Sequence, residues 1–199
     1  MLTTNPRPEL LADHTGKPKP MHHIALSYEE ARLGMAFHEA GHAVLALAYG
    51  MRVTTSEVIA WTTESGGWAV TGNTAYRADN TPAWRFAAQA AAGEIAQVGY
   101  LMAYGLWTPD RAAACDASHD REQAIDVLAE FGFRLGRDHV PAGGKSWAMV
   151  QGMARRKVGH LWREIRTVAL AMNERTVLTG DEIAELTGLV NPLIEEAAS

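Results

Sequence analysis

His38-Glu39-Ala40-Gly41-His42 sets two imidazoles four residues apart with a carboxylate beside the first. On an α-helix, positions i and i+4 lie about 40° apart in azimuth and one turn apart in rise, so both rings reach one point beside the helix. Neutral imidazole nitrogens bind a zinc ion at about 2.0–2.1 Å, and a catalytic zinc keeps one coordination position for water. Glu39 follows His38 on the same side, within reach of that water. As general base it would take the water's proton and later return it to a leaving amine, which is the chemistry of metal-assisted peptide hydrolysis. The competing reading is two histidines on a solvated helix surface. Phe37 and Val44 flank the motif and argue for the interior, where an imidazole pair without a ligand or hydrogen-bond partner is costly.

Such a centre needs a third protein ligand. One extended form of the motif requires glycine at position 45 and histidine at 48; Leu45 and Ala48 exclude it. A thermolysin-like site takes a glutamate about two dozen residues downstream, and the one nearby candidate, Glu64, falls in an expected turn, which makes it a weak option. Asp120 is better placed. It precedes Ala124, Val127 and Phe131 at helical spacing and so shares their inward face, where a carboxylate calls for a cation. A first-turn position also favours negative charge through the helix dipole. An aspartate that only caps the helix or faces solvent is the bland alternative. Asp116, one turn earlier, is the runner-up ligand, and Asp126 points to another face.

The elements that must position these groups are legible in outline. Ser27 and Glu30 have capping-box spacing, and the stripe Leu33, Phe37, Ala40, Val44, Leu47 continues at helical period until Gly50. Two short strands follow, Val53 to Thr63 and Gly67 to Thr74, joined through Glu64-Ser65-Gly66 as a hairpin. Thr81-Pro82 opens a helix whose apolar face runs from Trp84 to Met102, up to Gly105. After a loop with Pro109 come a helix from near Ser118, a long helix from about Ser146 to Asn173, and a short one capped by Thr179 and Glu182. The expected fold is mainly α (α+β), a helical zincin-like protease domain with a small hairpin beside the motif helix. Residues 1–26 hold Pro6, Pro8, Pro18 and Pro20 without a sustained apolar period and read as a flexible N-terminal arm; residues 27–199 read as one metallopeptidase domain. His22 and His23, adjacent in the arm, point apart in extended chain and read as solvated.

A chain of 199 residues with 47% hydrophobic and 21% charged residues has the profile of one globular domain, which excludes disorder throughout. The net charge of -5 gives no electrostatic reason to expect nucleic acid or an anionic membrane as partner. The most apolar stretch, Ala87 to Trp107, carries Glu94 and Gln97 and does not read as a membrane span. With a lone cysteine, Cys115, and no secretory signal pattern, a cytoplasmic location is expected.

The segment Met35 to Val44 resembles the zinc helix of the FtsH family of proteases, whose form is close to A-Y-HEAGHA-V. Further matches come in the family's order: Ala92-Gly93-Glu94-Ile95-Ala96 resembles its glycine-alanine helix, Ala117 to Ala124 resembles G-A-x-N-D-L-E-R-A, and Leu178-Thr179-Gly180-Asp181-Glu182 resembles L-x-G-x-E. The likeness spans about Tyr28 to Leu189. It implies Asp120 as the third zinc ligand and leaves room for a homo-oligomer, since family members assemble as rings. The departures are His119 and Arg121 around the ligand and Gln97 in place of a glutamate. The family's AAA+ ATPase and transmembrane helices have no counterpart in these residues. Gly144-Lys145-Ser146 ends like a phosphate-binding loop, but His139 stands where its leading glycine belongs, so the tripeptide reads as coincidence.

The resulting expectation is an ATP-independent zinc endopeptidase acting on unfolded or flexible protein segments, with His38, His42 and Asp120 holding the ion and Glu39 as base. The strand from Gly67, with Trp68 and Val70, is expected to offer a free edge to an extended substrate. His119, Tyr76 and His160 are candidates for stabilising the oxyanion, and Gly41 marks a place where another backbone packs against the motif helix. Trp147, Trp162, Met149 and Met153 read as core or subunit packing. The alternative is a non-catalytic, metal-stabilised interaction module that works with a separate ATPase or regulator. Glu39 favours the enzyme, because a structural staple needs the ligands and has no use for that carboxylate.

Overall fold

Ser27 Oγ accepts a hydrogen bond from the Glu30 backbone N–H at 3.3 Å, and the Glu30 carboxylate accepts one from the Ser27 N–H at 2.8 Å. This reciprocal cap starts α1 (Tyr28–Ala48), and Gly50, with φ of +79°, ends it. From Ala36 to Leu47 every residue of α1 is buried. A helix buried on all sides needs neighbours on all sides, and the remaining elements supply them.

The computed structural model describes residues 6–19, 25–63 and 67–193. After α1 the chain forms β1 (Arg52–Thr62) and β2 (Trp68–Arg77), an antiparallel pair whose register sets Ser56 opposite Thr74. Then follow α2 (Ala83–Ala90), α3 (Ala92–Ala103), α4 (Pro109–Ala113) and α5 (Ser118–Glu130). Two parallel two-residue strands, β3 (Leu135–Gly136) and β4 (Lys145–Ser146), precede α6 (Trp147–His160) and α7 (Trp162–Arg175). The chain closes with β5 (Val177–Thr179) and α8 (Gly180–Thr187), the latter started by a capping box between Thr179 and Glu182. The fold is mainly α with a small antiparallel sheet of order β2–β1–β5. α1 packs against α3, α7 and the sheet, and Phe37 stacks between the rings of Tyr100 and Trp162 at 5.0 and 5.3 Å.

Several elements differ from the sequence expectation. The helix expected from Thr81 to Met102 is broken at Ala91, and the one from Ser146 to Asn173 at Leu161. Both breaks are single residues that keep hydrogen bonding into the preceding turn, Ala91 to Ala87 O and Leu161 to Lys157 O. The bend lets α6 lie on α2 and α3 while α7 lies on α1, which one straight rod could not do. β5 is three residues long and owes its existence to pairing with β1, so no local pattern announced it. Phe131 was expected on the inward stripe of α5; the helix ends at Glu130 and the ring is 74% exposed.

Residues 6–19 of the expected arm are drawn onto the domain. They contain a 3-10 turn at Pro8–Leu11 with Leu10 buried, an Ala12–Pro18 bridge, and a turn in which Asp13 Oδ1 accepts from Thr15 N–H, Thr15 Oγ1–H and Lys17 N–H. His22, His23 and Glu64 lie outside the described residues. No helix among the described residues is long and apolar enough to cross a membrane.

Gly41 sits where α1 and α3 touch. A Cβ there would stand 2.7 Å from Ala92 O and 2.8 Å from Ala96 Cβ, so the close backbone approach expected from this glycine is present. Gly41→Ala forces two packed helices apart, and urea unfolding should show a loss of about 1–3 kcal/mol.

Candidate metal centre

α1 presents His38 and His42 to one side, and the first turn of α5 brings Asp120 to meet them. The two Nε2 atoms are 3.1 Å apart, and Asp120 Oδ2 lies 3.3 Å from His38 Nε2 and 3.2 Å from His42 Nε2. Three ligands about 2.0 Å from one tetrahedral ion stand about 3.3 Å apart, so the triangle has the size such an ion needs. Gly93 at the start of α3 gives the complementary observation. A Cβ there would fall 2.4 Å from both Nε2 atoms, so the absence of a side chain leaves open the space the two nitrogens share. The His38, His42, Asp120 group can hold a metal ion.

The rings are oriented from behind. His42 Nδ1–H donates to the backbone carbonyl of Gln89 at 3.0 Å, and His38 Nδ1–H donates to Gln97 Oε1 at 3.2 Å. With Nδ1 engaged, Nε2 is the atom each ring turns to the centre, the arrangement in which a second shell fixes the tautomer. Gln89 in turn donates from Nε2 to the carbonyl of His42 at 3.3 Å. Without a metal, burial alone would lower the His42 pKa, but the Asp120 carboxylate, the hydrogen bond to it and the Glu39 charge outweigh burial and raise it to about 9. Burial works the other way on Asp120, yet His42 and the hydrogen bonds from His38 and His42 hold its carboxyl well below the usual carboxylate range. Burial pushes the neighbouring His119 down to about 4 against the pull of Asp120. Without a metal, a proton on His42 would balance the charge of Asp120.

Glu39 is buried beside the triad, and Thr74 Oγ1–H donates to its Oε2 at 2.7 Å. Ser56 Oγ–H donates to Thr74 Oγ1 at 2.8 Å, so the cross-strand pair of β1 and β2 forms a short relay that aims the carboxylate. A side chain at Gly72 would collide with Glu39, its Cβ standing 2.4 Å from Glu39 Cγ. Oε1 has no hydrogen-bond partner among the described residues. A cleft of about 270 Å³ is lined by all three ligands, Glu39, Gly72, Asn73, Thr74, Tyr76 and His119.

The other candidates scatter. Asp116 is exposed, and Asp126 accepts from His14 Nε2–H at 2.8 Å on another face of α5. Gly67 and Trp68 are exposed at the start of β2, Trp68 edge-on to Tyr28, while Val70 packs partly buried against the core. None of these three lines the cleft; the strand reaches it only from Gly72 onward. His119 and Tyr76 line the cleft, and His160 is exposed on α6. Trp147 is buried and Met153 and Trp162 pack against the core, whereas Met149 is exposed. In Gly144-Lys145-Ser146, Ser146 Oγ caps α6 and Lys145 Nζ lies 5.2 Å over the Trp84 ring, both structural roles. Sequence reasoning missed Gln89, Thr74 and Gly72. Gln97 stood out only as a departure from a family pattern.

The proton shared at the centre makes stability depend on pH. The folded pKa of His42, about 9, lies above its ordinary value of 6.5, so its contribution is complete below pH 6.5 and is lost as pH rises through about 9. Thermal unfolding of chelator-treated protein should show Tm falling between those values. Added zinc should restore Tm at the alkaline end, where a cation replaces the proton, and Asp120→Asn should flatten the profile.

In comparisons with known proteins, no family model matches this chain and no curated protein matches it. The chemistry of the site itself therefore carries the functional reading.

Proposed function

We propose that this protein is a zinc-dependent endopeptidase that hydrolyses peptide bonds in unfolded or flexible protein segments, similar in kind to the FtsH-type protease domain. The observation that carries the reading is Glu39, a buried carboxylate that contributes nothing to the ligand triangle yet is aimed into the same cleft by Thr74 and Ser56. His38, His42 and Asp120 would hold a divalent ion, which would supply Lewis acidity at a scissile carbonyl and make water a stronger acid.

The protein's own groups do the rest. Glu39 Oε1, the oxygen Thr74 leaves unengaged, accepts the proton of the attacking water, and the carboxyl then returns it to the leaving amine. Thr74 keeps the carboxylate in one rotamer through this exchange. β2 is the outer strand of its sheet, so its edge offers backbone groups for an extended chain to pair with, giving affinity without strong sequence selectivity. Tyr76 and His119 are two of the cleft side chains with polar hydrogens to offer a developing oxyanion, and His119 is neutral at physiological pH because burial holds its pKa to about 4.

One observation favours a second reading. The triad ties α1 to α5 across the core, so a metal there would also staple the fold, as in a non-catalytic module that binds a separate ATPase or regulator. Casein cleavage by the zinc-loaded protein separates the two. Glu39→Gln should retain stoichiometric zinc and lose about 10²–10⁴-fold in rate, the usual worth of a general base. Equal rates in both forms overturn the protease reading, as does a lack of cleavage in either form, with zinc bound, when Arg7→Ala/His14→Ala also frees the N-terminal segment that lines the cleft.

A further inference from the structure

The N-terminal segment, residues 6–19, crosses the mouth of the cleft. Its path follows from two ties and the alternation of a strand. Ser56 and Thr74 point toward α1, where Thr74 meets Glu39, so the next residue of β1, Glu57, points to the opposite face of the sheet. Arg7 forms an ion pair with Glu57 on that outer face. Seven residues later His14 Nε2–H donates to Asp126 on α5, the far wall of the cleft, at 2.8 Å. Between the ties lies the 3-10 turn, packed against β2. Since β2 is the outermost strand, a segment that begins on one face of the sheet and ends across the cleft passes the free edge of β2.

This segment is also part of the cleft itself. Glu9, Ala12, Asp13, His14 and Lys19 line it opposite the triad and Glu39. With them in place the volume is about 270 Å³, below the range of about 300–1,000 Å³ typical of sites for single small molecules. An extended peptide spanning a scissile bond needs several residues of room and access to the edge of β2; the segment fills part of the first and packs its 3-10 turn against β2 without pairing to it. Its fastenings are suited to release. Each polar tie has one exposed partner, Arg7 or Asp126, while the Glu57 and His14 side chains are more covered, and among the described residues of the segment Leu10 alone is buried.

We propose that residues 6–19 are an autoinhibitory strap: they close the centre to extended chains while Arg7, Leu10 and His14 hold, and an extended substrate gains access when the strap swings off the β2 edge. The inference rests on the protease reading for its biological sense, but the strap's role as a cover is measured independently of cleavage.

The test uses the 199-residue chain carrying Gln123→Cys, a position that lines the cleft on α5 one turn after Asp120 and one turn before the His14 tie at Asp126; the native Cys115 is buried and supplies the background rate. Labelling by a bulky maleimide is compared with and without Arg7→Ala/Leu10→Ser/His14→Ala. A strap that must open first predicts labelling about tenfold or more faster in the triple variant, and faster stripping of zinc by EDTA. Should the triple variant not keep its circular dichroism spectrum and cooperative melt, Arg7→Ala/His14→Ala leaves Leu10 in place and should still label faster. Labelling rates equal within error in all folded forms overturn the strap. Casein cleavage then separates the two ideas. Faster labelling with no cleavage by any form keeps the cover and rejects the protease. Glu39-dependent cleavage that is as fast with the strap fastened as released keeps the protease and rejects autoinhibition.

Discussion

The energetic constraint that organises this protein is the meeting of two imidazoles and a carboxylate inside it. A carboxylate taken out of water is tolerated only with a compensating positive charge, and here His42 and Asp120 shift in opposite directions until one proton, or an ion in its place, is held between them. Every neighbouring element is arranged around that need. α1 contributes two ligands from its buried side, α5 delivers the aspartate from a first turn where its charge is favoured, and α3 approaches through a glycine so that nothing crowds the shared space.

Small residues are the means of this arrangement. Gly41 lets α3 reach the backbone of α1, Gly93 keeps the front of the two rings open, and Gly72 lets β2 press against Glu39. Each forgoes side-chain packing at a place where packing would displace a functional atom. The polar groups behind the rings, Gln89 and Gln97, do the opposite and fill their space with hydrogen bonds that decide which nitrogen faces forward. The Glu39 carboxylate, held by Thr74 and through it by Ser56, completes a set of side chains each fixed by a neighbour.

The bends at Ala91 and Leu161 belong to the same logic. A helix that continued straight from Ala83 could not both meet α5 and lie along α1, and the turn at Ala91 directs Gly93 toward the imidazoles while the carbonyl of Gln89 still reaches His42. The proposed protease reading would bring a substrate along the outer edge of β2, beside Glu39. That approach is where the N-terminal segment lies.

What the amino-acid sequence settled by itself was local. HExxH spacing on a capped helix places both histidines together, because helical geometry turns spacing into direction, while Asp120 stood as the better of several candidate third ligands until the fold brought it to them. The capping boxes at Ser27 and Thr179 were equally plain, since both partners sit three residues apart. The tertiary structure alone decided the rest. Thr74 is an ordinary strand threonine until β1 and β2 pair and set it against Glu39; Gln89 is one polar residue among alanines until α2 turns its carbonyl to His42. The part of β2 that lines the cleft lies at Gly72 to Tyr76, and residues 6–19 of a proline-rich arm are drawn to the cleft through contacts with β1 and α5. These partners are far apart in sequence, and no periodicity records a contact whose existence depends on how separate elements pack.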